Sequence, residues 1–273
     1  MTLRVISGGL KDWIEELQSK GKLAFSLRQA HEAFPELSED AVKLSLNRLS
    51  KKDKIVSIYK GYYLIIPPQY SSKGILPPAL YIDGLMQFLQ RSYYVGLLSA
   101  AAYHGAAHQQ PQEFFVVTSL PALRATERKG IKVNYISKNS INEALIESRK
   151  TESGYLKISS PALTATDLVQ FEKRIGGLNR AATVINELAE VLRPEMFNPV
   201  LFSEVSTYSI QRLGYILQYK TDQKELAKAL LDKAKEAELS FFRVPLKTDL
   251  PVKGFSSDEN WKVIVNTEIE IDE

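Results

Sequence analysis

Cysteine is absent from these 273 residues. That gap removes disulfides, thiolate metal sites and cysteine nucleophiles together. Histidine is scarce, with three in the chain. No apolar run reaches the roughly 18 residues that argue for a membrane-spanning helix. The opening MTLRVISGGLKDW lacks the apolar core and small-residue cleavage site of a secretory signal. There is no GxxxxGKS/T phosphate loop and no GxSxG elbow, and the Gly176–Gly177 pair follows no strand. No nucleophile–base pair stands out. These absences point away from an enzyme, from a membrane protein and from a bound cofactor, and towards the cytoplasm.

What is present is ordinary globular material, 44% hydrophobic and 25% charged. The length suits two or three domains. A net charge of +3 is small, but it is unevenly spread. Residues 1–68 carry 11 Lys+Arg against 8 Asp+Glu, residues 69–150 carry 9 against 5, and the remainder 15 against 19. A basic front and an acidic back fit a chain with one end facing phosphate and the other doing different work.

Local patterns give the organisation. Leu10, Trp13, Ile14 and Leu17 keep helical spacing before Gly21, and Ser26 opens a second helix that Pro35 ends. Ser38 caps a third helix, with Glu39 and Asp40 in its first turn. IVSIYKGYYLII then alternates about a Lys60–Gly61 turn as a hairpin. Three helices and a two-stranded wing make the order of a winged helix-turn-helix over residues 1–68. A proline-rich linker covers 69–79. A larger mixed α/β region rich in helices follows over 80–273, so the fold class is α+β. Within it, helices are expected at about 80–90 and 95–104, with strands at 113–119, 131–137 and 154–160. Residues 161–273 read as mainly helical with terminal strands, FFRVPL and WKVIVNTEIEID.

In the third helix, at about 100° per residue, Val42, Leu46 and Leu49 share a narrow stripe that faces a core. The opposite arc holds Lys43, Asn47, Arg48 and Lys51. Asn and Arg are the side chains that pair bidentately with adenine and guanine edges in the major groove. Lysines neutralise phosphates and set position. The basic run continues through Lys52. At the wing, Tyr59, Lys60 and Tyr62 are placed to reach a backbone or a minor groove. The competing reading is a solvated helix face, which is also commonly charged. Leu44 sits in the middle of the arc, and neither reading demands it there.

Two other clusters merit weighing. His104 and His108 stand four apart, as zinc ligands on a helix do, but the glutamate between them that HExxH chemistry needs is absent. Packing or exposure is the simpler role. Glu268, Glu270 and Asp272 alternate on the expected last strand and could hold a cation, though an acidic tail is more often a solvated edge.

Several segments resemble one family in order along the chain. RLSKKDKIVSIYKGYYLI is similar to the recognition helix and wing of the abortive-infection AbiE-type antitoxins. YYVGLLSAAAYHGAAHQQPQEFFVVT, SSPALTATDLVQF, SIQRLGYIL and the terminal NWKVIVNTEIEID resemble later blocks of that family. The segment KDK stands where many winged helices have a glycine before the first wing strand. The resemblance implies the antitoxin half of a type IV toxin–antitoxin pair in phage defence. Its winged helix would bind inverted repeats of double-stranded DNA in its own promoter and repress the operon. The larger region would counter a cognate nucleotidyltransferase-class toxin, with no catalysis of its own. Lys43, Asn47, Arg48 and Lys51 fall on the recognition-helix positions and Tyr59 to Tyr62 on the wing. The alternative from another class is a stand-alone regulator whose C-terminal region senses a small molecule.

Overall fold

The computed structural model describes residues 8–106 and 113–271. Among these, eleven α-helices and three sheets form a mixed α/β protein. Contacts divide the chain into two compact units. One holds residues 1–93 with 123–134 and 148–156, and the other holds 94–122, 135–147 and 157–273.

The first unit begins with α1 (Leu10–Ser19), β1 (Ala24–Ser26), α2 (Leu27–Ala33), α3 (Glu39–Lys51), β2 (Ile55–Tyr59) and β3 (Tyr62–Ile65). The local chemistry sets these bounds. Ser26 accepts from the Gln29 amide at 3.1 Å while the Gln29 side chain accepts from the Ser26 amide at 2.8 Å, a reciprocal capping box. Ser38 caps α3 through the Ala41 amide at 3.2 Å. The strands order as β1-β3-β2, all antiparallel. Gly61 supplies the positive φ of 77° that the tight β2–β3 turn requires. Under the three helices lies one core: Leu10, Trp13, Ile14, Phe25, Ala30, Phe34, Val42, Leu46, Leu49, Ile55 and Ile65. Trp13 meets the edges of Phe25 and Phe34 at 5.2 and 6.1 Å.

The expected linker is itself packed. Two 3-10 turns, Pro68–Tyr70 and Pro78–Leu80, flank buried Ile75 and Leu76. They lead to α4 (Ile82–Phe88).

The third sheet holds β4 (Tyr93–Val95), β5 (Glu113–Ser119), β6 (Thr126–Arg128), β7 (Ile131–Lys138), β8 (Ile146–Thr151) and β9 (Gly154–Ser159). Their order is β6-β7-β5-β4-β9-β8, with β4 parallel to β9 and β6 antiparallel to β7. The strands at 113–119, 131–138 and 154–159 fall where alternation and β-branched content place them. Hairpin segments 123–134 and 148–156 cluster with the first unit although they lie far from it in sequence.

The second unit is largely helical. After α5 (Leu97–Tyr103) come α6 (Pro161–Gln170), α7 (Glu172–Ile175), α8 (Leu178–Leu188), α9 (Pro199–Glu204), α10 (Thr207–Tyr219) and α11 (Lys224–Glu236). Gly176 and Gly177, with φ of 102° and 101°, make the turn between α7 and α8. Helix α6 is buried from Pro161 to Val169, with its threonines satisfied by their own helix: Thr164 donates to the Ser160 carbonyl at 2.9 Å and Thr166 to that of Leu163 at 2.9 Å. In α10, Gly214 leaves room for the Trp261 ring, which lies directly against its Cα hydrogens.

The terminal strands are much shorter than expected. Among the described residues, β10 (Val244–Pro245) and β11 (Val263–Ile264) pair in parallel, and one isolated antiparallel bridge joins Ser257 to Ile264. Asn266 explains the stop. Its side chain accepts from the Lys247 amide at 3.0 Å and donates to the Lys247 and Leu250 carbonyls at 2.8 and 3.2 Å, binding a loop instead of continuing a ladder. Glu268 and Glu270 are exposed on either side of buried Ile269, and Asp272 lies outside the described residues.

Candidate nucleic-acid interface

Helix α3 separates its two duties cleanly. Val42, Leu46 and Leu49 are buried in the core of the first unit, while Lys43, Leu44, Asn47, Arg48 and Lys51 are exposed on the opposite arc. Leu44 is 52% exposed, so it packs against little of its own chain. Lys43 Nζ lies 3.0 Å from Glu39 Oε1. A hydrogen bond and charge attraction raise the Lys43 ammonium above its ordinary pKa and lower the Glu39 carboxyl. Both groups are open to solvent, so this bridge is weak and exchanges readily for another anion.

The wing is short. Tyr59 pairs Tyr62 across the turn, and a register shift between Ser57 and Tyr59 leaves Ile58 buried. Tyr59 and Lys60 are exposed at the tip, as the sequence reading requires. Tyr62 is the correction. It is 6% exposed and its ring centroid is 5.0 Å from that of Phe88 in α4. Burial, helped by the Asp83 carboxylate, pushes its phenol up to about 12. Tyr62 is a packing residue, closed off by a helix whose arrival a hairpin pattern does not announce. Lys52 is exposed but turned from the arc, lining with Lys11 and Lys54 a groove of about 370 Å³.

The second unit holds a buried polar centre that sequence spacing does not reveal. Asp167 of α6 is completely buried. Its Oδ2 accepts from the Tyr94 hydroxyl at 2.7 Å and its Oδ1 from Lys138 Nζ at 2.8 Å. The Lys138 ammonium also lies over the Tyr94 ring at 5.6 Å and the Phe171 ring at 5.9 Å. Burial first, then the nearby carboxylate, raises the Tyr94 phenol well above its usual pKa, which keeps it a donor. Lone Asp167 in a helix otherwise buried all round was the legible signal; its partner, 29 positions upstream, was not. In α10, Arg212 is buried with Nε and Nη2 at 2.9 and 2.8 Å from the Pro245 carbonyl. These arrangements bind and orient.

His104 ends α5 with Nε2 2.7 Å from the Ser159 carbonyl, a structural contact. His108 lies outside the described residues. Among the described residues, no three carboxylate or imidazole groups come together as a metal site, and no helix is long and apolar enough to cross a membrane.

The fold and its surfaces define a protein of two units, one carrying an exposed helix-and-hairpin face rich in cations, the other a helical body around a buried Asp–Lys–Tyr centre. Residues 94–219 match the family model described as the AbiEi antitoxin C-terminal domain. An antitoxin domain of that description implies a toxin partner. Among solved structures, the chain is similar to the RV2827C protein from Mycobacterium tuberculosis at 18% identity and a TM-score of 0.66, covering 93% of this chain and 90% of that one. That likeness concerns the fold alone. It also resembles an antigenic nucleotidyltransferase-like protein from Paracoccidioides brasiliensis at 10% identity and a TM-score of 0.37, over 55% of this chain and 90% of that one, too distant to support an argument. No curated protein matches the chain.

Proposed function

We propose that this chain is an antitoxin that represses its own operon from the cytoplasm, using residues 8–66 as a winged helix-turn-helix. In this reading α3 is the recognition helix and β2–β3 the wing. The ligand is double-stranded DNA carrying inverted repeats in the chain's own promoter, and the second unit counters a nucleotidyltransferase-class toxin without catalysis. The observation that carries the DNA half is the division of α3. Its core stripe is fully used, while Asn47 and Arg48 project from the free arc with Lys43 and Lys51 beside them. Lys60 and Tyr59 stand at the wing tip to meet the backbone.

Mobility shift with the protein's own upstream region tests it. Asn47→Ala and Arg48→Ala should each cost about 1–3 kcal/mol on the operator and relax base preference. Lys43→Ala and Lys51→Ala should weaken binding to every sequence alike. Absence of salt-sensitive binding by the full chain would sink the DNA half. For the antitoxin half, co-expression with the adjacent gene product should rescue growth; no rescue removes it.

A further inference from the structure

We infer that the turn after α3 is the centre of a phosphate clamp for duplex DNA, assembled from three chain segments and extending contact beyond the recognition helix. The proposal rests on the duplex reading above. The segments all belong to the first unit.

The β6–β7 hairpin reverses through Lys129 and Gly130, with φ of 51° and 80°, the two positive values of a tight turn. Its register sets Glu127 opposite Lys132 and Arg128 opposite Ile131, so Glu127 lies across from Lys132 while Arg128 points to the other face. At the tip, Lys129 Nζ sits 3.1 Å from Asp53 Oδ1. Asp53 is itself held at φ 51°, directly after Lys51 and Lys52 at the end of α3. The 73–74 segment closes in from a third direction, since a Cβ on Gly74 would stand 3.4 Å from Lys129 Cε and 3.8 Å from Asp53 Oδ1.

Lys51, Lys52 and Lys54 flank Asp53 in sequence, Lys73 precedes Gly74 and Arg128 precedes Lys129, so exposed cations border the point where the three segments meet. The acids nearby are Asp53, Glu15, which lines the groove with Lys52 and Lys54, and Glu127, whose carbonyl accepts from Arg128 at 3.2 Å. Cations on segments brought together from distant parts of the sequence repel one another. A polyanion relieves that repulsion, and the duplex presents one charge per roughly 1.7 Å of axis. Charges that merely protect the β6 edge from pairing could sit anywhere along it and need not converge on the end of α3. Charge over the whole unit agrees. It holds 19 Lys+Arg against 11 Asp+Glu, while the second unit holds 16 against 21.

The test is the salt dependence of full-length protein binding to its upstream duplex and to a scrambled duplex, for wild type and for Lys73→Ala/Arg128→Ala. Lys129 is left in place so that the tie to Asp53 survives. The double variant should flatten the slope of log K against log salt by about 2, near 0.9 per phosphate lost. Affinity should fall by the same factor on both duplexes, and the footprint should retract on one flank. Lys73→Arg/Arg128→Lys should restore wild-type behaviour. An unchanged slope in the double variant, with Lys43→Ala/Lys60→Ala still flattening it, overturns the clamp and leaves the recognition helix and hairpin standing. Wild type that binds neither duplex overturns both.

Discussion

At the scale of single residues, the most constrained position is Asp167. Removing one partner of a buried pair leaves the other charge stranded, which typically costs 3–5 kcal/mol. Asp167→Ala should therefore lower unfolding free energy by about 3–5 kcal/mol in urea titration, and a loss below about 1 kcal/mol would contradict the geometry. Lys138→Met, which keeps the stem but removes the charge, isolates the ion pair from the packing. Tyr62 offers a pH signature. Its unfolded phenol titrates near 10, while the folded one is pushed up to about 12. The folded state thus holds its proton where the unfolded state has lost it, so stability is full below pH about 10 and falls as pH rises towards about 12. The stability difference between wild type and Tyr62→Phe should be flat below pH about 9 and shift by about 2 kcal/mol across the window. A flat difference to pH 12 would mean that Tyr62 is solvated. No sequence pattern showed this burial, because the ring that covers Tyr62 comes from Phe88, twenty-six positions on.

At the scale of elements, what was legible is what local chemistry decides. Ser26 and Ser38 caps, the Val42/Leu46/Leu49 stripe and the Gly61 turn place α2, α3 and the β2–β3 hairpin within a residue or so of their expected bounds. The last expected strand shows the limit. VIVNTEIEID has strand composition, yet Asn266 diverts the backbone into side-chain bonds with residues 247–250, a pairing that local propensity cannot foresee. The family block SIQRLGYIL contains Gly214 for a reason visible only in the packed helix, since the Trp261 ring occupies the volume of a Cβ. Gly214→Ala improves intrinsic helix propensity by about 1 kcal/mol, but overpacking of this kind costs about 1–3 kcal/mol or more. A lowered thermal midpoint is expected, and a raised one would show that the Trp261 contact yields freely. Tryptophan fluorescence should report the same displacement.

At the scale of the whole molecule, the sequence shows a basic front and an acidic back, and the fold sharpens that contrast. Segments 123–134 and 148–156 join the first unit and bring its net charge to +8, leaving the second at −5. Which distant segments a unit recruits depends on long-range sheet pairing, so this could not be read by counting along the chain. The AbiEi match over 94–219 covers none of residues 38–67, so the DNA reading stands on α3 and its surroundings. Fluorescence anisotropy of the full chain on its own upstream duplex, against a scrambled duplex over a salt series, addresses that reading most directly. The account predicts steep salt dependence on both, with operator preference lost in Asn47→Ala/Arg48→Ala while the salt slope is kept. Equal, salt-insensitive affinity for the two duplexes, or no binding to either, would contradict it.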